Sequence, residues 1–97
     1  MNFENVMRRS NEIPVLLVFT AVWCSPCRIL KQSLRQIVRD DVEIQYLDVE
    51  EQPDIASAYS IRSVPTLILF RGEKAVARIN GVMSEIALNN WLDIELI

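Results

Sequence analysis

The two cysteines of this chain have a spacing that suits sulfur chemistry. Cys24 and Cys27 are separated by two residues, and Trp23 precedes them. A run of strand-forming residues comes before the pair and a segment with helical periodicity follows it, so we expect Cys24 at the start of a helix. Unpaired backbone N–H groups and the positive end of the helix dipole favour a thiolate there, which predicts a lowered pKa for Cys24.

Cys27 is expected one helical turn further on, on the same face as Cys24. That distance is short enough for the two sulfurs to close a small disulfide ring. The arrangement suits disulfide exchange with a partner, in which Cys24 attacks, a mixed disulfide forms and Cys27 resolves it.

Two other interpretations of the cysteine pair stay open. The pair could be half of a zinc or iron–sulfur site, but the chain has two Cys and no His. A closed site with four ligands would therefore need two chains to share their pairs. A purely structural disulfide is the other alternative, although a ring across two residues constrains little of the unfolded chain. We predict that the chain binds no metal.

The bulk composition predicts one globular domain over residues 1–97. Hydrophobic residues make up 51% of the 97 residues, which is typical of a folded protein. The net charge of −3 argues against nonspecific binding to nucleic acid.

An apolar run near the start of the chain resembles a secretory signal. Arg8 and Arg9 precede the run 13–23. Pro14 interrupts its start, and the bulky Trp23 stands where processing needs a small residue. The run is also too short to span a bilayer. We therefore interpret it as a buried strand and predict a cytoplasmic protein without membrane association, in which a disulfide is usually transient and catalytic.

The order of elements predicts an α/β fold with a mixed four-stranded sheet and helices on both faces. The first β-α-β unit should be parallel and right-handed, and the last two strands should form an antiparallel hairpin. The second helix carries an apolar stripe of Ile29, Leu30, Leu34, Ile37 and Val38. The predicted elements are helix 2–10, strand 14–20, helix 25–39, strand 42–49, helix 55–59, strand 66–70, strand 75–79 and a last helix capped by Ser84.

Several of these features together resemble the thioredoxin family. They are the motif around Cys24 and Cys27, the tract 47–50, and the tract 59–66 with its Val-Pro-Thr sequence. The resemblance implies the thioredoxin fold and a thiol–disulfide oxidoreductase that reduces protein disulfides. It also implies that a thioredoxin reductase recharges the protein, and that no cofactor is bound beyond the Cys24–Cys27 disulfide.

The resemblance also assigns roles to individual residues. Cys24 corresponds to the nucleophile, Cys27 to the resolving thiol and Pro65 to a cis-proline that faces the sulfurs. The backbone of Val64 would then pair with an extended substrate strand. The implied docking surface consists of Trp23, Ser25, Pro26, Val64, Pro65, Gly81 and Val82.

Two departures from the family pattern concern proton transfer. Val18 stands where the family usually has a buried Asp, and Tyr46 replaces the Lys that accompanies this Asp. A buried Lys without its carboxylate would be a costly unpaired charge, so the two changes agree physically. We infer an altered proton route to Cys27, through water or the Tyr46 hydroxyl. Arg28, next to Cys27, is a second candidate for tuning the thiols.

A further departure concerns the sheet edge. A helix over residues 2–10 leaves no room for the family's usual opening strand, so strand 42–49 becomes an edge. We expect a monomer whose exposed edge could recruit a second chain into a weak dimer. An alternative function also stays open, namely a thioredoxin-fold binding or scaffold module in which redox chemistry is secondary.

Overall fold

The computed structural model describes residues 2–97 and confirms the predicted order of elements. Most helices and strands begin and end within a few residues of the predicted positions. The elements are α1 (Phe3–Arg9), β1 (Val15–Thr20), α2 (Ser25–Arg35), β2 (Glu43–Asp48), α3 (Pro53–Ala58), β3 (Thr66–Arg71), β4 (Lys74–Asn80) and α4 (Glu85–Glu95).

The four strands form one mixed sheet in the order β2-β1-β3-β4. β1 runs parallel to β2, and Val18 lies opposite Tyr46 in that pair. β3 is antiparallel to both β1 and β4. The predicted mixed sheet is therefore confirmed. β1 has strands on both sides and helices on both faces, which explains its nearly continuous apolar sequence.

Two apolar clusters place the helices on opposite faces of the sheet. Leu17 and Phe19 of β1 pack on the side of α1 and α3, with Phe3 and Tyr59 against them. The alternate residues of β1, Leu16 and Val18, pack on the side of α2 and α4. The α2 and α4 residues in this second cluster are Leu30, Leu34, Leu88 and Leu92.

Helix α1 occupies the start of the described chain, and β2 forms the edge of the sheet, as predicted. The buried Ser10, at the end of α1, accepts two hydrogen bonds from the β3–β4 turn. Its carbonyl accepts the Gly72 N–H at 2.8 Å, and its hydroxyl accepts the Glu73 N–H at 2.9 Å. Gly72 has a φ of +57°, which glycine adopts without a Cβ clash.

The predicted end of the second helix is wrong, because α2 stops at Arg35 rather than near residue 39. The chain leaves the helical path so that Ile37 can pack against the core. Val38 is consequently 94% exposed, and Ile29 is 53% exposed at the edge of the stripe. Neither belongs to the buried face that the periodicity predicted.

Arg39 lies beyond the helix and joins the loop between α2 and β2 to α4. Its guanidinium donates two hydrogen bonds to the Asp41 carboxylate, both at 2.9 Å, and one to Asp93 of α4 at 2.7 Å. Its side chain is 15% exposed. The hydrogen bonds from Arg39 lower the pKa of Asp41.

Replacing Arg39 by Met should lower the free energy of unfolding by about 1 kcal/mol at neutral pH, because charge-assisted hydrogen bonds to two carboxylates are lost. The pKa of Asp41 is lower in the folded than in the unfolded state, so its contribution is present above the unfolded value. It is lost as the pH falls through the folded value, and the penalty should shrink toward about pH 3. Urea unfolding at a series of pH values measures both effects.

Arg35→Met is the matched control, because Arg35 is exposed and forms no ion pair within residues 2–97. It should change the free energy of unfolding little. A penalty for Arg39→Met that stays constant down to about pH 3 would contradict this account.

Candidate active site

Cys24 is the N-cap of α2, as the sequence predicts, and a disulfide joins it to Cys27. The Cys27 N–H donates to the Cys24 sulfur at 3.2 Å, so a free backbone donor of the first turn points at this sulfur. Pro26 lies in the same first turn, where its missing N–H costs no helical hydrogen bond. The helix-start position of Cys24 and the Cys27 N–H both favour negative charge on Cys24 when the disulfide is reduced.

Both cysteines lie against a small apolar cluster. Cys24 is 3% exposed and Cys27 is 6% exposed, and Ala21, Val49 and Val64 pack around them. A partner disulfide therefore has to approach through a narrow opening at the protein surface. Trp23, the residue before Cys24 in the chain, is 66% exposed.

The loop before β3 faces the Cys24 sulfur. The Val64–Pro65 peptide bond is cis, and the Val64 carbonyl oxygen lies 3.7 Å from the Cys24 sulfur. This contact can become an S–H···O hydrogen bond only after reduction, because a disulfide sulfur carries no proton. The Gly81 N–H donates to the Pro65 carbonyl at 3.0 Å, which brings the end of β4 to the same loop.

The residues predicted to form the docking surface differ in exposure. Val82 is 49% exposed, Ser25 and Pro26 are exposed, Val64 and Gly81 are half-buried, and Pro65 is buried. Trp23 and Val64 share a groove of about 150 Å³. The other groove residues lie in the tracts 47–50 and 59–66 but were not predicted to dock a substrate; they are Val49, Ile61, Arg62 and Ser63.

Arg28 is held across the turn that carries Cys24. Its guanidinium donates to the Val22 carbonyl at 3.1 Å and to the Ser25 hydroxyl at 3.0 Å. These two partners lie on either side of Cys24 in the chain, so the positive charge is fixed beside the motif. Arg28 therefore differs from Arg35 of the same helix, which is exposed and forms no ion pair within residues 2–97.

Val18 and Tyr46 lie opposite each other in β1 and β2, under α2. Val18 is buried and apolar. Burial raises the pKa of Tyr46, although the charge of Arg35 opposes this shift, so the phenol stays protonated at neutral pH. The Lys31 ammonium lies 4.9 Å from the centre of the Tyr46 ring, which is a cation–π distance.

A second cleft, of about 210 Å³, reaches the inner cysteine. Cys27, Lys31, Asp48 and Arg28 line it together with Thr20, Ala21 and Val22. Sequence reasoning missed Lys31 and Asp48. The available signal was that Asp48 ends a strand parallel to β1, so their carboxyl ends lie side by side next to the cysteine motif. A larger cleft of about 340 Å³, between α1 and β2, contains no cysteine.

Within residues 2–97, no group of three or more His, Cys, Asp or Glu side chains is arranged to hold a metal ion. In the same part of the chain, none of the helices has the length and apolar character needed to cross a bilayer.

Comparison with known proteins agrees with this geometry. The thioredoxin family model matches residues 1–94. The thioredoxin of Buchnera aphidicola subsp. Acyrthosiphon pisum is 39% identical over 95 residues, which are 95% of this chain and 87% of that protein. The thioredoxin of Rickettsia bellii is 36% identical, over 95% of this chain and 90% of that protein.

Thioredoxin C-3 of Corynebacterium nephridii is 34% identical over 97 residues, which are 98% of this chain and 66% of that protein. These matches extend over both cysteines, the loop before β3 and all four strands. The mixed sheet, the helices on its two faces and the disulfide across the start of α2 are those of the same family. The chain therefore belongs to the thioredoxin family and is a thiol–disulfide oxidoreductase.

Proposed function

We propose that this oxidoreductase reduces protein disulfides, with Cys24 as the nucleophile and Cys27 as the resolving thiol. The observation that carries the proposal is the position of the disulfide across the first turn of α2, with the Cys27 N–H directed at the Cys24 sulfur at 3.2 Å. That donor favours a thiolate on Cys24. Cys27 lies inside the turn and against the core.

The reaction proceeds in two exchanges. The Cys24 thiolate attacks one sulfur of the substrate disulfide, a Cys24–substrate disulfide forms, and the other substrate sulfur leaves as a thiolate. Cys27 then loses its proton and attacks the Cys24 sulfur. The Cys24–Cys27 disulfide forms as the second substrate thiolate leaves, so two electrons pass from the protein to the substrate.

The docking surface in this proposal lies around the opening to Cys24. The groove beside Trp23 and Val64 accepts an apolar side chain, and the Val64 backbone pairs with an extended substrate segment. The exposed Val82 extends this apolar surface on the far side of Pro65. The full set is Trp23, Ser25, Pro26, Val64, Pro65, Gly81 and Val82.

The proposal also includes the partners, the oligomeric state and the cellular compartment of the protein. Residues 1–97 act as one domain and as a monomer in the cytoplasm, and a thioredoxin reductase returns the disulfide to the dithiol. The dithiol itself supplies the electrons, so no bound metal or organic cofactor takes part. The open edge of β2 allows a weak dimer.

A binding or scaffold module is the second candidate function. The observation that favours it is the apolar Val18 in the core beneath α2, which offers no group for proton transfer. Loss of both thiols would leave such a module's partner binding intact, whereas it would abolish the oxidoreductase.

Serine substitutions of the two cysteines test the assigned roles. Cys27→Ser should accumulate a mixed disulfide with insulin as the substrate, because attack remains and resolution is lost. Cys24→Ser should form none. Mass spectrometry after acid quenching measures the adduct, and the double variant is the control. Accumulation in Cys24→Ser instead would reverse the two roles, and turnover by the double variant would exclude the mechanism.

Arg28→Gln should slow the attack by Cys24 several-fold near pH 6, because a fixed positive charge beside the thiolate is removed at a partly solvated site. The effect should vanish near pH 9, where the thiol is ionised in both proteins. The rate at which the Cys24 thiol of the reduced protein is alkylated between about pH 6 and pH 9 measures this effect. Arg35→Gln, further along α2, controls for a general change in helix charge. Equal slowing at every pH would show that Arg28 acts by shaping the turn rather than by its charge.

Tyr46→Phe tests the phenol as a relay for the Cys27 proton. If the hydroxyl passes this proton, the variant should resolve the mixed disulfide several-fold more slowly and with a changed pH dependence. The ring and its contact with Lys31 are retained, so the fold should be unaffected. Unchanged resolution rates across the pH range would remove Tyr46 from the mechanism.

A further inference from the structure

We propose that Asp48 is the proton acceptor for Cys27, acting through water in the cleft that both residues line. This inference rests on the proposed roles of the two cysteines. Its starting observation is that Cys27 and Asp48 both line the cleft of about 210 Å³. Among the described residues that line the cleft, Asp48 is the one carboxylate.

The position of Asp48 is set by the sheet. It is the last residue of β2, opposite Thr20 at the end of β1. Side chains alternate along a strand, so Asp48 is on the same face as Ile44 and Tyr46, which is the α2 side. One oxygen of its carboxylate accepts the Glu50 N–H at 2.8 Å, which fixes the side chain in place.

The cleft can hold the water that this route needs. One molecule of liquid water occupies about 30 Å³, so the cleft has room for several. Carboxylate, ammonium, guanidinium and hydroxyl groups around the wall supply polar partners. Cys27 is only 6% exposed, and this cleft connects it with a titratable acceptor.

The other polar groups near Asp48 cannot take the proton. Arg28 and Lys31 of α2 are cations with no acceptor site. Tyr46 on the same strand keeps its own proton, because burial raises its pKa, so it can relay a proton but not retain one. Glu50, on the turn after β2, is exposed and is not part of the cleft wall.

The charges in the cleft favour this transfer. When the proton moves from Cys27 to Asp48, a thiolate appears and the carboxylate charge disappears, so the net charge in the cleft stays constant. Arg28 and Lys31 face one negative group before and after the transfer. The thiolate therefore forms without a second buried negative charge beside Asp48.

The Cys27 S–H bond breaks and its proton passes through water to the Asp48 carboxylate. The Cys27 thiolate attacks the Cys24 sulfur of the mixed disulfide, and the substrate leaves as a thiolate. Asp48 then returns its proton to solvent, or to the leaving thiolate, and regains its charge.

The test compares wild type with Asp48→Asn, which keeps the shape of the side chain and an acceptor for the Glu50 N–H. Reduced protein is mixed with glutathione disulfide, quenched in acid and analysed by mass spectrometry, so that attack and resolution are timed separately. We expect attack at the wild-type rate and resolution at least about tenfold slower at neutral pH, because a positioned base typically contributes a factor of about 10²–10⁴. The adduct should accumulate.

The pH profile separates proton transfer from a structural effect. In Asp48→Asn, resolution should rise in proportion to hydroxide between pH 6 and 8, and the wild-type profile should be flatter. Asp48→Glu, which retains a carboxylate, should restore part of the rate. Glu50→Gln, with its carboxylate outside the cleft, should resolve the adduct at the wild-type rate.

The outcomes distinguish this inference from the function on which it rests. If Asp48→Asn resolves the mixed disulfide as fast as wild type or faster, the role of Asp48 is overturned while the roles of the cysteines stand. A faster rate would mean that the Asp48 carboxylate only disfavours the Cys27 thiolate by charge repulsion. Absence of a mixed disulfide in Cys27→Ser overturns the roles of the cysteines and the Asp48 step with them.

Discussion

The chemistry of this protein depends on one hydrogen bond, from the Cys27 N–H to the Cys24 sulfur at the start of α2. It forms within the first turn of α2, and the strand β1, which ends next to the motif, fixes where that turn lies in the molecule. That strand pairs on both sides and is buried on both faces, and a slip of one residue would move its apolar side chains to the wrong layer. The rigidity of the central strand thus sets the position of the buried Cys24 sulfur.

Charge around the motif is arranged asymmetrically. The Cys24 side has backbone donors and a guanidinium held by two hydrogen bonds, while the core beneath α2 has the apolar Val18. Among the described residues, the ionisable side chains that line a cleft with Cys27 are Arg28, Lys31 and Asp48, between α2 and the end of β2. Fixed dipoles therefore lie next to the nucleophile Cys24, whereas solvent-accessible groups lie next to the resolving thiol Cys27. The groups beside Cys24 and the groups beside Cys27 share only Arg28. The ionisation of each thiol can therefore be changed separately by substitution.

Much of this arrangement was accessible from the sequence. Alternation, apolar runs and the Cys24–Cys27 spacing predicted the order of elements, the mixed sheet and the helix start at Cys24. The edge position of β2 was predicted from the family resemblance, because a helix over residues 2–10 takes the place of the usual opening strand. The end of α2 was not predicted, because Ile37 packs against the core and Arg39 reaches Asp93, which is distant in sequence, and a local 3.6-residue period registers neither contact. Asp48 and Lys31 were missed for a related reason, since only the three-dimensional fold brings them beside Cys27.

The helix at the start of the chain has a consequence for motion. Among residues 2–97, β2 pairs with a single strand, so its outward backbone groups meet solvent and its local opening breaks fewer hydrogen bonds than opening β1 would. Its amide hydrogens should therefore exchange faster than those of β1. The strand that carries Asp48 and Tyr46 is thus a less stable folding unit than the strand leading to Cys24. Because Asp48 at the end of β2 lines the cleft at Cys27, local opening of this edge strand should alter that cleft.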